Sequence, residues 1–441
     1  MKPFSFYLVT DTHYYEASLG VEGKAYDEYM SREQYFLKES GDINKATFAE
    51  IAKDNETQIV IIPGDLTKNG EKESHRSLLK LLAELKASGK KIYVITAGHD
   101  YGEKSFAFRN DERIEVEGTS FDELYDFYYD YGYSEALAFD KRTHSYIAEI
   151  TDGVRMLAIN CDSCGNPKGA IDAELYDWMQ IQLDKAKADG SFVFAICHYP
   201  IIPSVPVFDL VGDAKIKEWR KVASFLADNG VEVILTGHMH IQSINEFTSE
   251  KGNRLIDICT SCLVGSPAKY RKISIGEDKT LKVESFDVEC GYDLGGLTKR
   301  EYFDDQFANA ILTRIRKPLS GGKGIVGFLK KKALNIINTK NVSFVAHLLL
   351  MKVDKELGKK KITDFISSVG LAFFLGDAPF VEGTAEHKLI SSFLKRFSFI
   401  IKKVEKKLSK NGEVINLTDM LLNTIGNNKG YSDNNAEFRL K

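Results

Sequence analysis

The sequence predicts an α/β protein followed by a separate helical segment, and three observations lead to this prediction. Apolar, β-rich runs alternate with helical runs up to about residue 240. Short strands then dominate, and from about residue 297 only helical spacing is left. Charge divides the chain at the same place: residues 1–292 carry 33 Lys and Arg against 48 Asp and Glu, a net −15, and residues 293–441 carry 26 against 15, a net +11. We therefore expect two domains, 1–292 and 293–441, that attract each other.

The alternating part contains apolar strands with helices between most of them. The predicted strands are 4–10, 58–63, 91–96, 155–160, 192–197 and 231–236. The predicted helices are 43–54, 71–88, 173–188 and 214–229. The helix at 71–88 has leucines at 78, 79, 82 and 85, which form one apolar stripe. Strands that are apolar along their whole length, alternating with helices, are typical of parallel strands covered on both faces.

Two regions interrupt this alternation. After residue 240, the runs SINEFTSE, RLIDICT, YRKISIG and LKVESFDV are separated by turn residues and indicate added antiparallel strands. The segment 111–140 is acidic and rich in tyrosine. It fits either a helix and loop beside the opening of a site or a solvated surface insertion, and we prefer the surface insertion.

Composition names no location or partner by itself. Hydrophobic residues make up 43% of the chain and charged residues 28%, which is ordinary for a globular protein. The first strand-like run begins at residue 4 without a secretory signal pattern before it, and no apolar run reaches about 18 residues. We therefore expect a cytoplasmic protein without a membrane span.

The cysteines include two pairs with CxxC spacing, Cys161/Cys164 and Cys259/Cys262. Four thiolates at this spacing can hold a structural zinc or form redox pairs. The pairs lie about a hundred residues apart, much further than in compact zinc modules. We prefer the alternative that these are small buried residues at strand ends in a reducing compartment.

Five predicted strands are each followed directly by Asp or His. These residues are Asp11 and His13, Asp65, His99 and Asp100, His198, and finally His238 and His240. In α/β sheets, ligands bind outside the carboxyl ends of the strands, so these side chains should converge on one crevice. The four other histidines, His75, His144, His347 and His387, lie within helical or strand runs, and we assign them ordinary surface or core roles.

Carboxylates combined with imidazoles suit divalent first-row metals such as Mn, Fe, Co, Ni or Zn. The set is too large for one tetrahedral zinc. One carboxylate shared between two ions would place them about 3.5–4 Å apart, as in two-metal phosphoester hydrolysis. The residues therefore indicate two divalent ions, with Mn, Fe or Zn preferred.

The ordered set of motifs resembles the calcineurin-like metallophosphoesterases over roughly residues 4–290. The blocks are DTH (11–13), GDLTKNG (64–70), AGHDY (97–101), CHYP (197–200) and GHMH (237–240). The resemblance implies a β-sandwich flanked by helices and a phosphoester hydrolase. It implies that one metal is held by Asp11, His13, Asp65 and His240, with Asp65 bridging, and the second by His198 and His238. His99 then protonates the leaving oxygen, Asp100 orients the His99 ring, and a hydroxide between the metals attacks phosphorus in line.

This chain departs from the family pattern at Gly98. The family usually has Asn there, and its side chain binds the second metal, whereas glycine offers no ligand. Lys68 also stands where many members have a second Asp. One consequence would be a weaker second metal site, completed by water or substrate. The alternative is that Gly98 frees the loop so that another side chain supplies the ligand, and the sequence leaves both open.

The layout also resembles bacterial cyclic-nucleotide phosphodiesterases that carry a helical C-terminal domain, and CTSCLVGSPAKYRKISI resembles their segment after the last metal ligands. We therefore expect a phosphodiesterase with a small phosphoester substrate, which a cyclic nucleotide would satisfy. The alternatives are a phosphomonoesterase or phosphatase, a nucleic-acid-processing phosphodiesterase, and a metal-binding scaffold without catalysis. The scaffold is disfavoured because His99 and Asp100 are retained.

The basic segment LKRFSFIIKKVEKKLSK would serve a nucleic-acid-binding protein, and residues 385–410 would also fit a membrane-surface helix. We prefer lysines on the outer face of docked helices, with the apolar positions in a bundle core. The sequence does not fix the oligomeric state.

Overall fold

The computed structural model describes residues 2–102, 104–163, 168–409 and 415–441. The strands are β1 Phe4–Leu8, β2 Ile59–Pro63, β3 Lys91–Ile95, β4 Phe106–Arg109, β5 Glu112–Glu115, β6 Ala136–Asp140, β7 Ser145–Thr151, β8 Val154–Ile159, β9 Phe192–Cys197, β10 Val233–Thr236, β11 Ser243–Thr248, β12 Arg254–Cys259, β13 Lys269–Ile275, β14 Thr280–Asp287 and β15 Ala436–Arg439. All six strands predicted in the alternating part are present, shifted by at most two residues at either end.

The helices of the alternating part are α1 Lys24–Met30, α2 Ser40–Lys53, α3 Lys72–Ala87, α4 Phe121–Tyr128, α5 Ala173–Ala188 and α6 Trp219–Asp228. The helices of the C-terminal segment are α7 Lys299–Leu319, α8 Gly324–Thr339, α9 Val342–Leu348, α10 Lys355–Lys359, α11 Ile362–Ala372, α12 Ala385–Arg396, α13 Ser398–Leu408 and α14 Leu417–Ile425. The four helices predicted in the first part are found as α2, α3, α5 and α6.

The strands form two large sheets and one small hairpin. The first sheet has the order β15-β14-β13-β1-β2-β3, the second has the order β11-β12-β10-β9-β8-β7-β6, and β4 pairs with β5. β1, β2 and β3 are parallel, as are β8, β9, β10 and β12. The prediction that all strands after residue 240 are antiparallel additions is wrong for β12, which pairs antiparallel with β11 but parallel with β10. The carboxyl ends of the parallel strands thus lie at common edges.

The two sheets pack face to face around one core. Phe6 of the first sheet stacks on Phe194 of the second, with ring centroids 5.2 Å apart, and both are fully buried. The Tyr146 hydroxyl donates to the Val94 carbonyl across the same interface, at 2.9 Å. Burial of each such aromatic side chain contributes about 1.5–3 kcal/mol. Helices α2 and α3 cover the outer side of the first sheet, and α5 and α6 cover the second, which confirms the sandwich flanked by helices.

Residues 121–140 of the acidic segment 111–140 are built into this core, so its interpretation as a solvated insertion is wrong there, whereas all four residues of β5 are exposed. Ser120 and Glu123 form a capping box that starts α4. The helix buries Phe121, Leu124 and Tyr128, and β6 continues the second sheet as its edge strand. Phe121 and Tyr128 are buried while Asp122, Asp126 and Tyr129 are exposed, and net acidity alone does not distinguish this pattern from a surface loop.

The C-terminal segment is helical as predicted, but the expectation of no further strands is wrong at its end. β15 pairs antiparallel with β14, from Thr280↔Arg439 to Val283↔Ala436. Four residues, two of them charged, give little strand signal. Arg271, fully buried in β13, donates to the Asp433 carbonyl at 2.9 Å and so fixes the chain just before β15. The domain boundary at 292/293 stays a prediction.

The apolar positions of residues 385–410 only partly form the expected bundle core. Leu389 and Leu394 are buried in α12. In α13, Phe399 is 70% exposed and Ile400 56% exposed. The lysines of α13 are also exposed, as both the nucleic-acid-binding and the membrane-surface alternatives require. Among the helices that the structure describes, none combines the length and apolar character needed to cross a bilayer.

Candidate metal centre

The predicted site residues meet at the carboxyl edge of the parallel strands, and five of them have left-handed backbones. Asp11, His13 and Asp65 have φ values of 51°, 35° and 50°, and His238 and His240 have 66° and 57°. Asp and His tolerate this region better than most residues, but each such position still costs free energy. Strain gathered at adjoining strand ends is characteristic of a functional site.

Hydrogen bonds between the loops hold these backbones in place. The His13 amide donates to the Asp65 carbonyl at 3.0 Å. The His238 amide donates to both carboxylate oxygens of Asp11, at 3.1 and 3.0 Å. The Gly237 amide donates to the His198 carbonyl at 2.9 Å. The loops after β1, β2, β9 and β10 therefore form one connected rim.

The first donor group consists of Asp11, His13, Asp65 and His240. Nε2 of His13 lies 3.0 Å from Nε2 of His240, 3.8 Å from Oδ1 of Asp11 and 3.9 Å from Oδ2 of Asp65. Oδ1 of Asp11 lies 3.4 Å from Nε2 of His240. Donor atoms bound about 2.0–2.2 Å from one metal ion are separated by about 3–3.5 Å, so this group fits a divalent cation.

The second donor group consists of Asp65, His198 and His238, whose ligand atoms all lie within 4.8 Å of one another. Nδ1 of His198 faces the Pro63 carbonyl at 2.9 Å, and Nε2 of His238 faces the Asp213 carbonyl at 2.8 Å. A carbonyl only accepts, so each of these nitrogens carries the proton. Nε2 of His198 lies 3.2 Å from Nδ1 of His238 and 3.1 Å from Oδ2 of Asp65. Such a contact suits a cation placed between them.

Asp65 belongs to both groups. Its Oδ2 lies 3.1 Å from Nε2 of His198 and 3.9 Å from Nε2 of His13. Its Oδ1 accepts from the His99 amide at 3.2 Å. The carboxylate is buried between the two sets of imidazoles, which is the position of a bridging ligand.

The electrostatics of the centre favour positive charge. Burial by itself would lower the pKa of His198, but Asp65 raises it to about 10. Burial would raise the pKa of Asp65, yet the charges of His198 and His99 hold it well below its usual range. Burial lowers the pKa of His238 to about 4, assisted by His198. The carboxylates thus stay ionised and His238 is neutral, whereas His198 carries a second proton that metal binding would release.

His99 lies beside the first group, with its ring centroid 5.2 Å from that of His13. Its Nδ1 contacts the Lys68 carbonyl at 2.9 Å and Oδ1 of Asn69 at 3.3 Å. The role predicted for Asp100, to orient this ring, is therefore filled by Lys68 and Asn69. The Asp100 carboxylate instead accepts from the amides of Ala97 and Thr67, both at 2.9 Å, because its short helical turn directs it back to the strand end.

His75 takes part in supporting this turn, a role that the sequence did not reveal. Its Nε2 contacts the Asp100 carbonyl at 2.9 Å, and its Nδ1 contacts the Tyr128 hydroxyl of α4 at 2.7 Å. Burial lowers the pKa of His75 to about 4, so the ring is neutral. A chain of hydrogen bonds therefore connects α4 with the turn that carries His99.

Asp162 is a second residue that sequence reasoning missed. It follows β8, and its side chain is buried against Gly98, whose amide donates to its Oδ2 at 2.8 Å. Burial is the main cause that raises the pKa of Asp162, and Asp65 also raises it, while His198 lowers it. The signal was an Asp two residues after a correctly predicted strand.

Four of the described cysteines, Cys161, Cys197, Cys259 and Cys262, are buried, and Cys262 also lies close to His13 and His240. Sγ of Cys161 lies 3.2 Å from Sγ of Cys197, a contact outside both CxxC pairs. Cys259 and Cys262 donate to the Gly237 and Asp11 carbonyls, both at 3.3 Å. Burial holds the pKa of Cys262 well above its usual range, so its thiol keeps its proton. Cys164 lies outside the described residues.

Lys68 occupies a buried position next to the first group. Its Nζ lies 5.1 Å from the centroid of the Tyr35 ring, which stacks on His13 at 4.6 Å. Burial alone would lower the pKa of Lys68, but Tyr29 and Glu33 raise it, so the ammonium is charged. A fixed positive charge thus lies behind the His13 ring.

Taken together, the fold and the site define an α/β sandwich protein whose crevice carries two Asp and His groups able to hold metal ions. The chain belongs to the calcineurin-like phosphoesterase family, whose model matches residues 4–242.

Individual relatives are more distant. The chain is 24% identical over 182 residues to a cAMP/cGMP dual specificity phosphodiesterase of Mycobacterium tuberculosis, covering 41% of this chain and 48% of the relative. It is 26% identical over 96 residues to a probable cyclic nucleotide phosphodiesterase of Rhodococcus erythropolis, covering 22% and 31%. The matches thus span less than half of each curated relative. Among solved structures, a dimetal phosphatase from Danio rerio is similar with a TM-score of 0.47 and 14% identity, covering 65% of this chain and 98% of that one.

Proposed function

We propose that this protein is a metal-dependent phosphoester hydrolase that acts on phosphodiesters. The observation that carries the proposal is the pair of Asp and His groups that share Asp65, with His99 alongside. We propose Asp11, His13, Asp65 and His240 as ligands of the first ion. Asp65, His198 and His238 are proposed as ligands of the second.

Bound divalent ions would supply a water of lowered pKa and charge neutralisation for the phosphoryl oxygens. The rest of the chemistry belongs to the protein. His99 donates from Nδ1 to the Lys68 carbonyl, so Nε2 is the atom from which a proton passes to the leaving oxygen. The hydrogen bonds of Lys68 and Asn69 hold the ring in this orientation, and that arrangement avoids the cost of ordering it during the reaction.

The choice of a phosphodiester rests on the names of the curated relatives, both of which are cyclic nucleotide phosphodiesterases. We therefore propose cyclic nucleotides as the substrate class to test first. Phosphomonoesters and single-stranded nucleic acid are the competing substrates, and a preference for either would change the proposed substrate class. A cytoplasmic location stays a prediction.

The test pairs metal content with turnover. Protein stripped of metal is titrated with Mn, Fe or Zn and assayed on bis-p-nitrophenyl phosphate, 3′,5′-cyclic nucleotides, p-nitrophenyl phosphate and a labelled oligonucleotide. His99→Gln should lower kcat by about 10²–10⁴-fold with metal content unchanged, because it removes general acid catalysis. Asp65→Asn should lose both ions. His347→Gln, on the exposed face of α9, is the matched control and should equal wild type.

The outcomes separate the alternatives. Turnover of diesters that needs His99 supports the proposal. Preference for the monoester or the oligonucleotide would reassign the substrate class. Metal-loaded protein that hydrolyses none of the four substrates would contradict the enzyme and favour a metal-binding scaffold.

A further inference from the structure

We infer that Asp162 is a ligand of the second metal ion and takes the place of the amide side chain that Gly98 lacks. This inference rests on the two-metal site proposed above. It chooses between the two alternatives that the sequence left open at Gly98: another side chain supplies the ligand, so the second site is complete.

The topology brings Asp162 to the right edge of the sheet. β8 pairs parallel with β9, and Ile159 at the end of β8 is in register with Cys197 at the end of β9. His198 follows directly on Cys197, so the residues after Ile159 leave the sheet beside His198. Asp162 is only 5% exposed, and its carboxylate interacts electrostatically with both His198 and Asp65. It is therefore a buried acid at the same strand edge as the second donor group, outside the set of ligand atoms that lie within 4.8 Å of one another.

The space that a side chain at position 98 would use is filled by the Asp162 carboxylate. A Cβ placed on Gly98 would lie 2.5 Å from Oδ2, 3.3 Å from Cγ and 3.5 Å from Oδ1 of Asp162. A contact of 2.5 Å is far inside the sum of the van der Waals radii, so a side chain at position 98 would require the Asp162 carboxylate to move. Gly98 and Asp162 therefore form a pair in which one residue gives up the side chain and the other supplies an oxygen ligand at the same place.

The carboxylate is positioned for this role by its neighbours. The Gly98 amide donates to Oδ2 at 2.8 Å, and the Tyr101 hydroxyl donates to the Asp162 carbonyl at 3.0 Å. The Asp162 amide donates to Oδ1 of Asn160 at 3.2 Å. A carboxylate has about four lone-pair sites, so one hydrogen bond leaves ample capacity for a metal ion. Ligands fixed by outer hydrogen bonds in this way are usual in metal sites.

The exchange has a chemical consequence. An amide oxygen is neutral, whereas a carboxylate adds one negative charge to those of Asp11 and Asp65. A third carboxylate near the two ions favours hard cations that prefer oxygen ligands. The second site should therefore bind Mn more tightly than a site with an amide ligand would.

The experiment measures metal binding directly. Metal-free protein is loaded with Mn, and stoichiometry and affinity are measured by elemental analysis after gel filtration, by calorimetry, and by the EPR signal of spin-coupled Mn pairs. Five variants are compared with wild type: Asp162→Ala, Asp162→Asn, Gly98→Asn, Gly98→Asn/Asp162→Ala, and the control Asp152→Ala. Asp152 is an exposed acid in the turn at the opposite end of β8, so the control should equal wild type. Thermal melts of the metal-free proteins check that each variant folds.

We expect two tight ions in wild type. Asp162→Ala should keep the first ion and weaken the second by more than the roughly 10–100-fold that loss of an outer-shell partner costs, with loss of the coupled signal. The affinity of Asp162→Asn for the second ion should lie between those of wild type and Asp162→Ala, because the amide keeps an oxygen but loses the charge. Gly98→Asn alone should weaken the second ion, because its side chain collides with Asp162. The double variant should recover it, because the collision is removed and an amide oxygen is restored.

Two results would overturn the inference. One is an Asp162→Ala variant that binds two Mn ions with wild-type affinity. The other is a wild-type protein that binds only one ion tightly, whether or not the double variant gains a second. Turnover is recorded separately: a wild type that binds two ions through Asp162 but hydrolyses no phosphoester would contradict the proposed function and leave this ligand assignment standing.

Discussion

Asp257 connects two loops of the metal centre, and its ionisation should control stability between about pH 4 and pH 6. Its Oδ2 accepts from the amides of Ile201 and Ile202, at 2.7 and 2.8 Å, in the loop that follows His198. Its Oδ1 accepts from the Thr236 hydroxyl at 2.6 Å. Burial raises the pKa of Asp257 from 3.8 to about 6, although these hydrogen bonds oppose the shift.

The direction in which stability changes with pH follows from proton binding. Between pH 4 and 6 the folded protein keeps the Asp257 proton, while the unfolded chain releases it, so stability falls as pH rises through this window. A pKa shift of about two units corresponds to a loss of about 3 kcal/mol in the free energy of unfolding. This loss is complete above about pH 6 and absent below about pH 4. Asp257→Asn removes the ionisation, and Thr236 can turn to accept from the new amide. The variant should therefore gain stability relative to wild type as pH rises, by up to about 3 kcal/mol.

The assay is the difference in Tm and in denaturant midpoint between wild type and Asp257→Asn at half-unit steps from pH 4 to 8. A differential measurement cancels the titration of the other acids. Asp228→Asn is the control: hydrogen bonds from Ser249 and Asn253 lower the pKa of Asp228, so its contribution to stability is lost only below about pH 4, and its difference from wild type should be constant from about pH 4 to 8. A difference between wild type and Asp257→Asn that is constant over this pH range, or that changes in favour of wild type as pH rises, would refute the reasoning.

Three further predictions concern the scaffold and the centre. Arg271→Met should destabilise the protein by about 3–5 kcal/mol in denaturant unfolding, because the Thr260 hydroxyl and the Asp433 and Cys259 carbonyls lose their buried donor at about 1–3 kcal/mol each; an unchanged midpoint would contradict the role given to this guanidinium. Tyr128→Phe removes the partner of His75 and should cost about 1–3 kcal/mol with a kcat lower than that of wild type and KM unchanged; Tyr129→Phe, on the exposed side of the same turn, should change neither value. Chelation should lower Tm, because an ion at 100 times its Kd adds about 2.7 kcal/mol to stability; equal Tm values with and without chelator would show that no ion binds tightly.

Much of the metal centre could be predicted because the fold makes strand ends special. Asp11, Asp65 and His198 each follow a strand that composition alone identified, and topology brings such positions together. Asp162 could have been found by the same reasoning, since it comes two residues after a predicted strand. Its signal is weaker because Cys161, and not an Asp or His, directly follows this strand, and because only the structure shows that Gly98 makes room for a carboxylate.

Other features lay beyond sequence reasoning for physical reasons. Which group faces the His99 ring depends on how the GHDY turn closes, and a neighbouring Asp is as able to cap its own turn as to reach an imidazole. The burial of α4 depends on which of its faces meets the sheet. Its alternating aromatic and acidic residues do not determine that face from sequence, whereas the contact of Tyr128 with His75 does so in the structure.

The pairing of β15 with β14 changes what the helical segment is. The chain leaves the first sheet after Asp287 and returns to it at Ala436, so the helices are an insertion between two adjacent strands. An insertion anchored at both ends cannot swing like an appended domain, and any motion toward the crevice must bend two connections together. A stop codon anywhere within the helices would remove β15 and leave β14 as an unpaired edge strand. Such an edge promotes aggregation, because its backbone groups can pair with another chain. A smaller protein should therefore be made by excising the helices and rejoining the two strands.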